Sequence, residues 1–254
     1  MHIYDYSNKQ KPILSKIESV TKIKDMPWMY PSVTTVLSII PNTFIETLRV
    51  KTAIELKGKN PEFTYEHIVQ LMWGLPISPA TGERISSAEF GTAAHDRVEK
   101  LVNSKINNRS VDQDPYDDFA IPVIEYFEEQ DITPIEAEKL IACHNLKIAG
   151  RIDLIAKKDD KLCLFDYKFR DCSEKEKGKF YDKDCYQLAI ESFMVKNDKN
   201  LDYLPDIYSI CICSSMGKVY SKKWSKKMLD RGIVQAQAAR DFYYIHNQLN
   251  KHEQ

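Results

Sequence analysis

Asp166 and Lys168 are a pair whose types and spacing could do chemistry. In KLCLFDYKF, residues 161–169, the two-residue period of a strand puts Leu162, Leu164, Asp166 and Lys168 on one face. Cys163, Phe165, Tyr167 and Phe169 take the other. A carboxylate and an ammonium then stand side by side at the strand's end. The carboxylate can hold a divalent metal; the ammonium can orient or activate a water, or stabilise developing negative charge. The same tripeptide also makes a plain ion pair at a strand terminus, so it needs company.

The preceding segment supplies it. AGRIDLIA carries Asp153 among apolar residues, where an unpaired carboxylate is costly. Residues 157–160, Lys-Lys-Asp-Asp, read as a turn, and a hairpin closed at Asp159-Asp160 sets Asp153 opposite Asp166. Facing carboxylates repel unless a cation lies between them. Mg²⁺ suits oxygen ligands and keeps waters that can attack a phosphate. The alternative is a carboxylate of this pair matched by Lys168 or Arg151. Other residues also carry two readings. His95, one turn from Gly91 and from Glu99, is a ligand turned to the sheet or a surface group. Glu138 adds a carboxylate or faces solvent. Arg151, beside Gly150, reaches a phosphate or projects outward. Ser32 and Thr34 donate to a phosphate or cap a helix.

These side chains need elements to hold them. In SAEFGTAAHDRVEKLV, Phe90, Ala94, Val98 and Leu101 recur at steps of four, four and three, which predicts a helix starting near Ser86 or Ser87. PSVTTVLSII, residues 31–40, reads as a short strand or as a helix capped by Ser32. Helices are expected over 44–56, 65–73, 121–130 with Pro122 in the first turn, 184–195, and from 225 to about 249. Residues 107–118 form a loop. Strands are expected over 135–143, 146–157 and 161–169, with His144-Asn145 as the first hairpin turn, then over 205–214 and 218–224 around Met216-Gly217. Helices, a three-strand meander, a helix, two strands and a helix make an α+β (or α/β) domain with one central sheet.

Composition narrows the class. The chain of 254 residues is 43% apolar and 29% charged, which suits a folded protein and neither a disordered polyelectrolyte nor a membrane protein. Its six cysteines include no CxxC pair, which disfavours a zinc ribbon; Cys211 and Cys213 alternate in an apolar run and read as packing. No apolar run approaches a membrane span, and a reduced, cytoplasmic compartment is expected.

GTAAHDRVEKLV, AGRIDLI, LFDYK and YQLAI, in this order within a match that extends from about Pro31 to Glu191, resemble the ordered motifs of the PD-(D/E)XK nuclease superfamily, RecB-like branch. PSVTTVL resembles the N-terminal motif of phage-type exonucleases and the related mitochondrial genome maintenance exonuclease. The resemblance implies a restriction-endonuclease-like mixed sheet flanked by helices, residues 86–254 as the nuclease core, and residues 1–85 as an N-terminal helical elaboration that helps form the DNA channel, where Trp73 stacks on bases or is buried. It implies a Mg²⁺- or Mn²⁺-dependent DNA exonuclease acting on single-stranded DNA or a free end, in phage-type replication, recombination or repair, and in the host cytoplasm if phage-encoded. Asp153 and Asp166 would hold the metal with the Tyr167 carbonyl and His95, and Lys168 would position the attacking water. Gln187 would steady the site or the strand, with Tyr186 beside it. Glu191 stands where the family often has tyrosine. With Cys143 as the first cysteine, no iron–sulfur cluster is expected. The rivals are an endonuclease of the same fold and a nucleic-acid binding module without catalysis.

Charge is segregated. Lys and Arg number 36 against 37 Asp and Glu, a net charge of −1. Residues 111–138 hold ten acidic side chains and no Lys or Arg, while 218–231 hold six basic and one acidic. The acidic stretch is expected to face away from any substrate channel.

Overall fold

A computed structural model describes residues 2–5, 13–16, 29–40, 54–55, 57–64, 76–172 and 175–247. The helix expected over 65–73, with Trp73, and all but two residues of that over 44–56 lie outside the described residues. Strands β1 (His2–Asp5), β2 (Ile13–Lys16) and β3 (Met29–Pro31) come first, followed by helices α1 (Val33–Leu37), α2 (Ser87–Ile106) and α3 (Asp117–Glu129). Strands β4 (Thr133–Cys143), β5 (Ile148–Lys158) and β6 (Lys161–Arg170) form the meander. Helix α4 (Asp182–Asp198), strands β7 (Asp206–Cys213) and β8 (Val219–Lys223) and helix α5 (Lys226–His246) complete the chain.

The main sheet is mixed, in the order β4-β5-β6-β7-β8, and only the β6/β7 pair is parallel. That parallel pair follows from α4, whose length lets the chain cross back before β7 begins. Helices cover both faces. On one side Val33, Val36, Ile155, Leu164, Leu188 and Ala236 bury the sheet against α1, α4 and α5. On the other, Val98, Val123, Phe127, Leu154, Phe165 and Ile210 bury it against α2 and α3. Each large apolar side chain so buried contributes about 1.5–3 kcal/mol. The result is an α+β fold in helix–sheet–helix layers.

Local signals explain the elements nearest the site. Ser86 opens α2 with a capping box: its Oγ accepts from the Glu89 N–H at 3.1 Å, and Glu89 Oε2 accepts from the Ser86 N–H at 2.9 Å. Asp159 and Asp160 both take left-handed φ, 49° and 60°, as a two-residue type I′ hairpin turn requires. This turn sets Lys158 opposite Lys161 and carries the pairing to Leu154 and Phe165.

Three expectations need correction. The first 85 residues are not purely helical, because β1–β3 form a small antiparallel sheet in the order β2-β1-β3. Strands of three or four residues carry too little periodicity to be read. Ser32 then bridges to Ala149 of β5, which ties this layer to the main sheet. The first hairpin turn spans 144–147 rather than two residues, since Cys143 pairs with Ile148. Helix α3 starts at Asp117, earlier than expected, because Asp117 accepts from the Asp114 N–H and from Arg97 Nε, at 2.9 and 2.6 Å.

Pro122 therefore lies inside α3 and cannot donate to the carbonyl of Asp118. Gly217, at φ 66°, sits against that carbonyl, and a Cβ there would lie 2.6 Å from its oxygen. Gly217→Ala is expected to cost about 1–3 kcal/mol through backbone strain and overlap, a fall of several degrees in Tm. Calorimetry of the purified variant checks this, and an unchanged Tm would refute it.

Candidate active site

Glu138 on β4, Asp153 on β5 and Asp166 on β6 form one row across three strands. Lys139 pairs with Ile152 and Ala137 with Leu154, so Glu138 lies opposite Asp153. The β5/β6 register carries Asp153 to Asp166. The β5/β6 ladder ends at Leu154–Phe165, one pair before this row, whereas the β4/β5 ladder resumes beyond it at Lys139–Ile152. Asp153 Oδ2 accepts the Tyr167 N–H at 2.9 Å, and Glu138 adopts a left-handed φ of 51°. Apolar alternation changes face here as well: Ile152 packs with α4, whereas Ala137 and Leu154 pack with α2 and α3.

Helix α2 brings His95 over the row. Phe90, Ala94 and Val98 are its buried stripe, and His95 sits about 100° round from Ala94, at the stripe's flank. Its Nε2 lies 3.1 Å from Asp153 Oδ2 and its Nδ1 3.6 Å from Glu138 Oε1. Ligand atoms of His95, Glu138 and Asp153 all fall within 4.8 Å of one another, the spacing of a cation site. Asp166 stands beside this group: its Oδ1 accepts from Lys168 Nζ at 2.6 Å and from Gln187 Nε2 at 3.1 Å. Gln187 also donates to Glu191 Oε1, one turn along α4, at 3.2 Å.

Three acceptor atoms in the row are buried without a hydrogen bond: both oxygens of Glu138, and Oδ2 of Asp166. Arg151 Nε approaches Glu138 Oε2 to 2.5 Å, an ion-pair contact that lacks hydrogen-bond geometry. Such orphaned acceptors are unusual in a folded interior.

Burial and mutual repulsion set the charges. Burial disfavours the charged form of His95, but Asp153, then Glu138 and Asp166, outweigh it and raise its pKa to about 9. Burial, reinforced by Asp153, lifts Glu138 to about 7 despite His95 and Arg151. Asp153 is also disfavoured by burial, yet His95, Lys168 and the Tyr167 N–H hold it below the usual carboxylate range. Asp166 is raised by burial and by Asp153, against Lys168. Burial opposes the charge of Lys168, but Asp166 and Asp153 prevail and its ammonium is secure. Glu191, fully enclosed, is driven well above the carboxylate range by burial and then by Asp166 and Asp153.

A cleft of about 250 Å³ opens beside the row. His95, Asp153, Tyr167, Lys168 and Gln187 line it, as do Arg151 and, from α1, Ser32 and Thr34. Ser32 is buried and caps α1, accepting from the Thr35 N–H at 3.0 Å, while the Thr34 side chain stays exposed at the rim. The Tyr167 N–H faces β5, and in an extended strand its carbonyl opens to the same side. Tyr186 is not on the cleft: it is buried in the core, close against Gly232 of α5. Glu191, which stands where the resemblance has tyrosine, lines the cleft; its spacing of four from Gln187 was the available signal. The acidic stretch keeps residues 111–137 off the cleft wall, but its last member, Glu138, joins the row, against expectation.

No family model matches the sequence, and no curated protein matches it. Among solved structures, the crystal structure of SSO0001 aligns over 74% of this chain and 68% of its own, at 14% identity and a TM-score of 0.31. A likeness that slight carries no argument. Among the described residues, no helix is long and apolar enough to cross a membrane.

Glu191 makes stability depend on pH. Its folded pKa lies above the unfolded value, so the native state keeps a proton that the unfolded chain releases. The associated stability is complete below about pH 4.5 and is lost as pH rises towards the folded pKa. Glu191→Gln cannot titrate, so in metal-free buffer its Tm should gain on the parent by several degrees between pH 5 and pH 8. An equal offset at both pH values would sink this account.

Proposed function

We propose that this protein is a metal-dependent deoxyribonuclease, hydrolysing phosphodiester bonds in single-stranded DNA or at a DNA end. The observation that carries the reading is the row Glu138–Asp153–Asp166, capped by His95 and flanked by Lys168, with three buried acceptor atoms left unbonded. A divalent cation satisfies such atoms, and the donor set of carboxylates with one imidazole suits Mg²⁺ or Mn²⁺. His95, Glu138, Asp153 and Asp166 would hold it, joined by the Tyr167 carbonyl. When bound, the cation supplies positive charge to a phosphate oxygen and acidifies a water.

The protein's own groups do the remainder. Lys168 keeps its charge and reaches the cleft, so it can donate to an oxygen that gains negative charge as the P–O bond breaks. Gln187 holds Asp166 Oδ1 and so fixes the direction of the free Oδ2. Thr34 and Arg151 at the rim are placed to donate to neighbouring phosphates of the strand. The order of GTAAHDRVEKLV, AGRIDLI, LFDYK and YQLAI, and its resemblance to the PD-(D/E)XK nucleases of the RecB-like, phage-exonuclease branch, supports the choice of DNA and of an end-directed reaction. A mixed sheet with helices on both faces is the architecture that this resemblance implies.

The test uses end-labelled single- and double-stranded DNA with Mg²⁺ or Mn²⁺. Asp166→Asn and Lys168→Ala should each reduce cleavage by at least about 100-fold while remaining folded by circular dichroism. Full activity in either variant overturns the site. Cutting of covalently closed circles overturns the exonuclease part alone.

A further inference from the structure

Beyond Lys168, strand β6 runs out of the cleft and into a second cavity of about 300 Å³, walled by Phe169 and Arg170. Phe90 of α2 supplies more of its apolar wall, and Tyr181 stands on it with 36% of its surface exposed. Exposure alone would mean little, but this ring is held in place. The Arg170 guanidinium lies 4.5 Å from the ring centroid. Arg170 is itself locked by two hydrogen bonds to Asp184, at 2.8 and 2.7 Å, and by donation to the Lys179 carbonyl. Asp184 Oδ2 also accepts the Tyr181 N–H at 2.9 Å. One ring face is thus backed by a fixed cation before any ligand arrives.

The charge of the cavity selects the ligand's chemistry. Asp184 neutralises Arg170, Lys179 lies 3.5 Å from Glu176, and the acidic residue Asp171 is part of the wall. No surplus of positive charge remains to capture a phosphate. Tyr181 beside the apolar residues Phe90 and Phe169, with Ser87, Ser214 and Asp171 on the same wall, suits a flat, neutral heteroaromatic with hydrogen-bonding edges. Arg170 lies two residues past Lys168, about 7 Å along the strand, so such a ring would sit next to a phosphate in the cleft.

We propose that this cavity receives one unpaired nucleobase, stacked on Tyr181, from the strand whose phosphate occupies the cleft. The inference rests on the nuclease reading and sharpens it: a base still paired in a duplex cannot lie flat on Tyr181, so the site favours single strands and frayed ends.

A short fluorescent single-stranded oligonucleotide, titrated in EDTA so that it stays intact, gives the test. Tyr181→Ala should weaken binding about 5- to 150-fold, the worth of one stacked base, while Tyr181→Phe binds like the parent. One abasic residue, moved along the oligonucleotide, should erase the difference between Tyr181→Ala and the parent at a single position. If the parent cleaves DNA in Mg²⁺ but Tyr181→Ala binds equally well, the base site is wrong and the nuclease reading stands. If the difference persists at every abasic position, Tyr181 is not a base platform and the inference falls. If the parent neither binds nor cleaves any strand, both readings fall together.

Discussion

Three carboxylates in one row across the middle of a sheet repel each other and resist burial, and the neighbouring structure can be understood as an answer to that constraint. His95 faces Asp153 and Glu138 from α2, Arg151 leans on Glu138, and Lys168 and Gln187 both donate to Asp166. Each partner comes from a different direction, and none satisfies the row completely. Both oxygens of Glu138, despite their ion-pair contacts, and one oxygen of Asp166 remain without a hydrogen bond. A protein built only for stability would gain by replacing such groups with apolar ones. Their retention is what favours the proposal of a divalent cation there.

The sheet gives up regularity to make the row possible. A regular β4/β5 pair would keep Ile152 and Leu154 on one face, and Asp153 would then point wholly to the other. Instead the alternation switches at Glu138 and Asp153, with Glu138 in a left-handed conformation. Asp153 can consequently meet His95 on the α2 side while still accepting from the Tyr167 N–H, and Asp166 turns to Gln187 on the α4 side. Groups from both helical layers therefore meet at one break in the ladder. Left-handed backbone costs of order 1 kcal/mol or more for a glutamate, and it survives because packing on both faces fixes the strands around it.

Much of this was legible because it depends on local signals. The period of two in residues 161–169, the Ser86 capping box and the Asp159-Asp160 turn set α2, β6 and the β5/β6 register, and with them Asp153, Asp166, Lys168 and His95. Glu138 was ambiguous for a geometrical reason. A two-residue turn at His144-Asn145 would have paired it with Arg151, whereas the actual turn over 144–147 moves it opposite Asp153. Nothing local distinguishes the two turns. Tyr186 was misplaced because adjacent helical residues point about 100° apart: once Gln187 reaches Asp166, Tyr186 turns into the core, and Glu191 takes the next turn on the cleft side. The net charge of −1 was uninformative for the same kind of reason, since what matters is where charge sits. Asp117 and Glu128 of the acidic stretch are engaged by Arg97 and Lys105 of α2, and Glu138 alone carries that stretch into the site.

Position 187 shows how finely the row constrains its neighbours. An amide nitrogen has two hydrogens to give, and Gln187 directs them at two carboxyl groups in different states, Asp166 in the row and the more readily protonated Glu191 behind it. A glutamate there would offer only acceptors and add another negative charge to a region already short of donors. A lysine would neutralise Asp166 but compete with Lys168 for the same oxygen, Oδ1. A neutral donor of two hydrogen bonds is therefore the side chain that supports Asp166 without changing the balance of charge, which leaves Lys168 as the cation that answers Asp166 and still reaches the cleft.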